Sequence, residues 1–190
     1  MDTQNNRQIR LARLGDIPGI LEVLAQNHIA NKSPSELEDT GFLLHGFNAA
    51  DLKKVLAEET QHILMVAIEN EQVIGYALSY DKKVSDPSWF THIVIDKKED
   101  EAIFNSKNTL YHRHIARLAN YPGTGAQLLK ALLHEANVRA YQHVFCQIVH
   151  APHYNKPSIA FHQSMGFRLI GKQNSDAEYG IYLKSLAYGV

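Results

Sequence analysis

The spacing of apolar residues changes several times along the chain, and each change predicts a new element. From Arg7 to Leu14 apolar and polar residues alternate, which is typical of a strand. Asp16 is a suitable helix cap, and apolar residues then recur every three or four positions as far as Leu24. Asn48 is a second candidate cap. The first quarter of the chain therefore predicts a strand followed by two helices.

The next stretch is richer in β-branched and aromatic residues. The segments His62 to Ile68 and Gln72 to Tyr80 are separated by a short polar turn, so we predict an antiparallel hairpin. The segment Trp89 to Ile95 is apolar enough to pack on the domain. The segment Asp96 to Asn108 is charged and polar, which predicts an exposed excursion with room for one helical turn.

A strand, a glycine turn and a helix are predicted between Tyr111 and Arg139. The strand is His114 to Ala119, the turn is Pro122 to Gln127, and leucines then follow a helical spacing. Such a turn leaves backbone N–H groups free at the positive end of the helix dipole, which favours phosphate. A plain turn explains two glycines equally well. A dinucleotide fingerprint fails because its third glycine is Leu128, and a P-loop fails because no Gly-Lys-Ser/Thr follows.

The last third of the chain predicts a buried strand, a short helix and two more strands. The strand is His143 to Val149, and Asn155 caps the helix, which Gly166 is well placed to end. The strands start at Phe167 and Tyr179. The central strand, its helix and the strand after it form a parallel crossover, and ligands of such sheets lie beyond the carboxyl ends of the strands. The whole order predicts a mixed α/β fold.

Composition narrows the classes of function. A chain of 190 residues suits one domain spanning 1–190, and 45% hydrophobic with 21% charged residues is an ordinary globular balance. The net charge is −1 and no basic run is present, so we expect no nucleic-acid partner. One cysteine excludes a disulfide framework. No signal core and no membrane-length apolar run are visible, so we expect a soluble cytoplasmic protein without a membrane partner.

Three side chains in the strands are candidates for chemistry. Cys146 lies in the middle of a predicted buried strand, so a small buried hydrophobe is favoured over a nucleophile. His112 and His114 are expected to share one face of the central strand because strand side chains alternate. No third ligand stands at a recognisable spacing, so we expect no metal.

Two motifs resemble those of the GCN5-related N-acetyltransferase (GNAT) superfamily. The family's acetyl-CoA loop, Arg/Gln-Gly-x-Gly-x-Gly/Ala, is similar to Pro122-Gly-Thr-Gly-Ala-Gln127 here. The family's late helix, Asn-x-x-Ala/Ser followed by Gly-Phe, is similar to Asn155-Lys-Pro-Ser158 and then Gly166-Phe167. The resemblance extends over nearly the whole chain in element order. It implies a mostly antiparallel central sheet flanked by helices, with the parallel strand-helix-strand crossover at the cofactor site.

The resemblance also implies acetyl-CoA as co-substrate and a set of residues that bind it. Backbone N–H groups of residues 123 to 127 would bind the pyrophosphate, the strand edge would bind the pantetheine arm, and Asn155 would contact the cofactor from the other side. The residues so implied are Ile115, Ala116, Arg117, Leu118, Pro122, Gly123, Thr124, Gly125, Ala126, Gln127, Asn155 and Ser158.

Three positions depart from the family pattern. Pro122 replaces the loop's side-chain donor, and Gln127 replaces its last small residue, where it either crowds the phosphates or contacts them. The tyrosine that usually protonates the leaving thiolate falls on His162, whose imidazole can do this work. Tyr154, just outside the helix, is the alternative acid. His114 is our candidate for the base that accepts the amine proton, and an ordered water is the alternative.

The predicted function is direct transfer of an acetyl group from acetyl-CoA to a primary amine. The acceptor would be a small molecule or a peptide, read by residues Asn31 to Glu59 and Asp81 to Asn108. A second enzymatic hypothesis is ping-pong transfer, in which the acetyl group passes through the Cys146 thiol. A catalytically silent CoA-binding regulatory module is the alternative from another class. A homodimer is compatible with the resemblance, since homodimers are frequent in the family.

Overall fold

The fold is built on one sheet of eight strands, with helices packed on its faces. The structure is a computed structural model and describes residues 7–186. The first six residues, on which the expectation of no signal core partly depends, lie outside this range. The elements are β1 Gln8–Leu11, α1 Ile17–Asn27, α2 Pro34–Thr40, α3 Ala49–Ala57, β2 His62–Glu69, β3 Gln72–Asp81, β4 Ile93–Ile95, α4 Lys98–Phe104, β5 Thr109–Arg117, α5 Thr124–Val138, β6 His143–Ala151, α6 Lys156–Ser164, β7 Arg168–Asn174 and β8 Glu178–Ser185.

The sheet is antiparallel apart from one pair of strands. Its order is β1-β2-β3-β5-β6-β8-β7-β4, and β5 and β6 are the parallel pair. Because parallel neighbours need a crossover, α5 connects them across one face of the sheet. The predicted mixed α/β fold with a single parallel crossover is confirmed.

Local signals placed most elements correctly. Asn48 caps α3 by accepting hydrogen bonds from Ala50 and Asp51, and Asn155 caps α6 by accepting one from Ser158. The predicted hairpin is β2 and β3. The charged excursion holds a full helix, α4, where we predicted at most a turn. The central strand starts at Thr109, five residues before its predicted start, because its first residues pair with β6 along an edge that local sequence does not reveal.

Helix α5 anchors the main core. Its apolar side, Leu128, Leu129 and Leu132, is fully buried against the sheet and gives the helix its fixed position. A second cluster fills the other half of the sheet with the aromatic rings of Phe104, Tyr111 and Phe145. The glycine turn that precedes α5 is thereby held at the edge of a rigid core.

The parallel pair is short, and this opens the sheet. Residues of β5 and β6 pair only from Thr109 with His143 to His112 with Cys146. Beyond this point β6 remains paired with β8 as far as Ala151, while β5 remains paired with β3. The two strands therefore part, and their facing edges are left without a neighbouring strand.

A β-bulge at Arg113 corrects our prediction that His112 and His114 share one face. His112 pairs with Ser79 and His114 with Leu78, so Arg113 has no partner of its own on β3. Neighbouring residues of β3 point to opposite faces, and the two histidines therefore do so as well. His112 lies against His162 of α6, and His114 lies against Phe47. We call these two sides of the sheet the α6 face and the Phe47 face.

Candidate active site

A cleft of about 760 Å³ occupies the gap between β5 and β6. One end is formed by the glycine turn before α5, and the other by Trp89 and Tyr179. Because both strands part here, the cleft is bordered by residues of both faces of the sheet. The predicted site residues that line it are His114, Ile115, Ala116, Arg117, Gly123, Gly125, Ala126, Asn155, Ser158 and His162.

The glycine turn has the geometry of an anion site. Gly123 caps α5 in a left-handed conformation with φ of +78°, which favours glycine. No atom lies within 4 Å of the position that a Cβ would take there, so the turn is open to a ligand. Gln127 is the first residue whose N–H bonds back, to the Gly123 carbonyl at 3.2 Å, and the preceding N–H groups of α5 face outward. Thr124 is fully buried, and its hydroxyl is bonded to the Tyr121 carbonyl.

Arg7 lies at this turn, which sequence reasoning missed. Its guanidinium donates to the Pro122 carbonyl at 3.2 Å and to the side-chain oxygen of Gln127 at 3.3 Å. The same side chain is paired with Glu69 at 2.9 Å. Both departures from the family loop are thus held by one arginine, which directly precedes β1. No local signal could have revealed a contact between residues 115 positions apart.

The strand edge is partly available to a ligand. Ile115, Ala116 and Arg117 line the cleft, beyond the last pair between β5 and β6. The Arg117 carbonyl accepts a hydrogen bond from the Asn27 side chain at 2.9 Å. Leu118 is buried, and its N–H donates to the Ile74 carbonyl, so it is not among the lining residues.

The Asn155 side chain is bonded within the protein at both its oxygen and its nitrogen. It accepts from the Ser158 N–H at 3.3 Å and donates to the Phe42 carbonyl at 2.9 Å, and the residue is 3% exposed. It therefore joins α6 to the segment between α2 and α3. Asn155 lines the cleft because these two hydrogen bonds hold it between α6 and that segment, and we call it a structural joint.

His162 lies in the cleft in its proton-accepting form. Its Nδ1 is 2.8 Å from the Ser158 carbonyl, which can only accept, so Nδ1 carries the proton and Nε2 a lone pair. Burial lowers the pKa of His162 to about 4. Nε2 has no hydrogen-bond partner within residues 7–186, and the same holds for Nε2 of the neighbouring His112. The ring was predicted as an acid, a role it can take only after gaining a proton.

His114 is the corresponding histidine of the Phe47 face. Its Nδ1 lies 3.3 Å from the Tyr76 hydroxyl, and its ring stacks on Phe47 at 5.3 Å between centroids. Burial, with a further contribution from the charge of Arg113, holds the pKa of His114 well below its usual value. A neutral imidazole in this position is able to accept a proton.

Two other candidates are placed less favourably for chemistry. Tyr154 is 57% exposed beside His150 and is not among the residues that line the cleft. Cys146 does line it, but burial raises the pKa of the thiol well above its usual range, so the thiolate is disfavoured. Pro122, Thr124 and Gln127 support the glycine turn without lining the cleft.

The far end of the cleft is a rigid polar framework. Gln147 and Gln173 each donate to the Trp89 carbonyl at 3.0 Å, and the Tyr111 hydroxyl donates to Gln147 at 2.6 Å. Gln173 also donates to the Thr91 carbonyl at 2.7 Å. These bonds fix the segment that carries the indole. None of these residues was recognised from the sequence, because their contacts join β5, β6 and β7.

Within residues 7–186 no three histidine, cysteine or acidic side chains come together in a way that could hold a metal ion. In the same range, no helix has both the length and the apolar composition needed to cross a bilayer.

Comparison with known proteins shows the family and the fold of the chain. The model of the GNAT family of acetyltransferases matches residues 24–167, and no curated protein matches the chain. An N-acetyltransferase from Staphylococcus aureus Mu50 is 20% identical, with 96% of this chain and 99% of that one covered and a TM-score of 0.63. The yncA protein from Salmonella typhimurium, solved with its cofactor acetyl-CoA, is 19% identical, with 97% of this chain and 96% of that one covered and a TM-score of 0.64. The PaiA N-acetyltransferase of Thermoplasma acidophilum, solved with coenzyme A, is 12% identical, with 95% of this chain and 99% of that one covered and a TM-score of 0.64.

A mixed sheet opened at its single parallel pair, with a glycine turn at the opening, defines the acetyltransferase class of fold. The chain belongs to the GNAT family of acetyltransferases, since the family model covers most of its length.

Proposed function

We propose that the protein transfers the acetyl group of acetyl-CoA to a primary amine by direct attack. The observation that carries this proposal is the opening of the sheet after His112 and Cys146. It brings the glycine turn, whose geometry suits an anion, and a neutral histidine on the Phe47 face to one cleft. The two reactants could therefore enter from opposite faces and meet between the strands.

The turn and the strand edge would hold the cofactor. The open position at Gly123 and the outward N–H groups of α5 fit a pyrophosphate, which needs several donors and no side chain in the way. The free edge of β5 from Ile115 to Arg117 offers backbone groups to an amide-containing arm. The structure of yncA with acetyl-CoA and that of PaiA with coenzyme A support the choice of cofactor.

Two histidines would handle the protons. A neutral amine attacks the thioester carbonyl carbon, the carbon–sulfur bond breaks, and the amine loses the one proton that the thiolate gains. His114 would accept the amine proton, because its ring is neutral and lies on the Phe47 face. His162 would deliver a proton to the sulfur on the α6 face: its neutral ring takes one up from solvent at Nε2 and passes it to the thiolate, while His114 returns the amine proton to solvent. With a pKa of about 4 the charged ring of His162 is far more acidic than a thiol, so the transfer to the thiolate is downhill.

The cofactor step is tested first by thermal unfolding with acetyl-CoA, with CoA and ATP as controls. Ligand at one hundred times its dissociation constant adds about 2.7 kcal/mol, which raises Tm by roughly 5–10 °C for a chain of this size. A shift with acetyl-CoA and CoA but not with ATP is expected. No shift at millimolar acetyl-CoA would refute the proposed function.

The catalytic step is tested by thiol release with a panel of amines. His162→Gln and His114→Gln should each lower kcat by about 10²- to 10⁴-fold while acetyl-CoA binding is retained. His134→Gln, an exposed histidine of α5 outside the cleft, is the matched control and should leave kcat unchanged. Retained binding with no turnover on any amine would instead favour the regulatory module.

A further inference from the structure

Arg113 occupies a distinctive place in the cleft. It is the first residue of β5 after the pairing with β6 ends, and it is the extra residue of the β-bulge. Its guanidinium carbon lies 3.9 Å above the ring centre of Trp89 and 5.8 Å from that of Tyr80. The charge is therefore held on the Phe47 face, next to His114, which follows it directly in the strand.

Among residues 7–186 this guanidinium has no partner of opposite charge. Four arginines form ion pairs with carboxylates, namely Arg7, Arg10, Arg139 and Arg168. Arg113 forms no such pair, and no hydrogen bond of its side chain is found, anywhere in residues 7–186. Stacking on an indole face uses the plane of the group and leaves its N–H edge free, which suits a bidentate carboxylate.

The acidic residues of the same cleft do not compensate this charge. Asp176 is engaged elsewhere: it accepts from Ser175 at 2.9 Å and from the Tyr179 hydroxyl at 3.2 Å, and it lies 3.1 Å from the His45 ring nitrogen. Asp39 lines the cleft as an exposed residue of α2. Two arginines of the cleft, Arg113 and Arg117, have no carboxylate partner in the described part of the chain, but the Arg117 guanidinium donates to the Leu118 and Ala119 carbonyls at 3.0 and 2.7 Å. Arg113 is therefore the cleft cation that is free to bind a ligand, on a surface already fixed by Gln147 and its hydrogen bonds.

We propose that Arg113 binds a carboxylate of the acceptor, so that the amine substrate is an amino acid or a similar small amino acid-like compound. This rests on the proposed function, in which the amine meets His114. Arg113 and His114 are consecutive in β5, and the charge of Arg113 contributes to lowering the pKa of His114, so the carboxylate site and the proton acceptor lie within Coulombic reach of each other. An acceptor that reaches both carries its amine and its carboxylate close together, as an amino acid does.

The kinetic test compares amino acids with their carboxamides, which differ only in charge at this site. Alanine, leucine, phenylalanine and lysine should each show kcat/KM about 10- to 100-fold above that of the matching amide, the range expected for charge-assisted hydrogen bonds. The amine of a carboxamide loses its proton more readily than the amine of the matching amino acid. Without a carboxylate site the amides would therefore be the more reactive acceptors, which is the opposite of the order we predict. Arg113→Gln should abolish the preference, whereas Arg13→Gln, an exposed arginine outside the cleft, should preserve it.

A binding test decides the proposal even without turnover. The probes are N-acetyl amino acids and their carboxamides, added to protein saturated with CoA and followed by thermal unfolding. The acids should raise Tm in the parent and not in Arg113→Gln, with unchanged CoA binding showing that the variant is folded. Equal effects of acids and amides, no effect of either, or a preference that survives in Arg113→Gln would overturn the carboxylate site. Loss of the CoA response in the parent would instead refute the proposed function.

Discussion

Replacing Asn155 by alanine tests whether this residue acts as a structural joint. The side chain caps α6 through Ser158 and satisfies the buried Phe42 carbonyl. Losing a cap costs about 1 kcal/mol, and leaving a buried carbonyl without a partner costs about 1–3 kcal/mol. The free energy of unfolding should therefore fall by about 2–4 kcal/mol, which lowers Tm by roughly 4–16 °C in a chain of this size.

Asn48→Ala is the matched control, because Asn48 caps α3 at an exposed position and has no second bond of this kind. It should cost about 1 kcal/mol. Both variants are compared with the parent by urea denaturation, and acetyl-CoA affinity is measured on the folded proteins. If Asn155→Ala were no more destabilised than Asn48→Ala, yet lost acetyl-CoA affinity, the joint would be refuted and direct cofactor contact supported.

Three further predictions concern pH, the glycine turn and the thiol. The pKa of His162 is lowered to about 4 in the fold, so its contribution to stability is fully present above about pH 6.5 and is lost as the pH falls toward 4. Between pH 7.5 and 5 the free energy of unfolding in urea should fall by about 2 kcal/mol from this group alone. His162→Phe should remove that part of the loss. Gly123→Ala should destabilise the fold by about 1 kcal/mol and weaken CoA binding in calorimetry, whereas Gly15→Ala, equally open but without a positive φ, should be neutral in both measurements. Cys146→Ala should keep kcat within about threefold of the parent in thiol-release assays, with intersecting two-substrate plots; parallel plots in the parent and lost turnover in the variant would support the ping-pong route.

Features set by neighbouring residues were predictable from the sequence. The caps at Asn48 and Asn155 were predicted because a side chain bonds to an N–H two or three residues away, and the glycine turn because φ at Gly123 requires glycine. The site itself depends on distant partners. The bulge at Arg113 arises from the register of β5 against β3 and reverses the face of a neighbouring histidine. Arg7 reaches the turn across 115 positions. Such contacts leave no periodic signal in the sequence.

The fixed indole at the far end of the cleft has a practical consequence. The chain contains a single tryptophan, Trp89, and a cationic side chain lies directly on its ring. Ultraviolet emission excited at the red edge of the absorption band therefore comes from one place in the molecule. A compound that draws Arg113 away from the ring changes the emission of that fluorophore directly. Under the proposed role of Arg113 the protein carries its own optical reporter for acceptor binding, and acceptors can be screened by titration without coupling enzymes or labels.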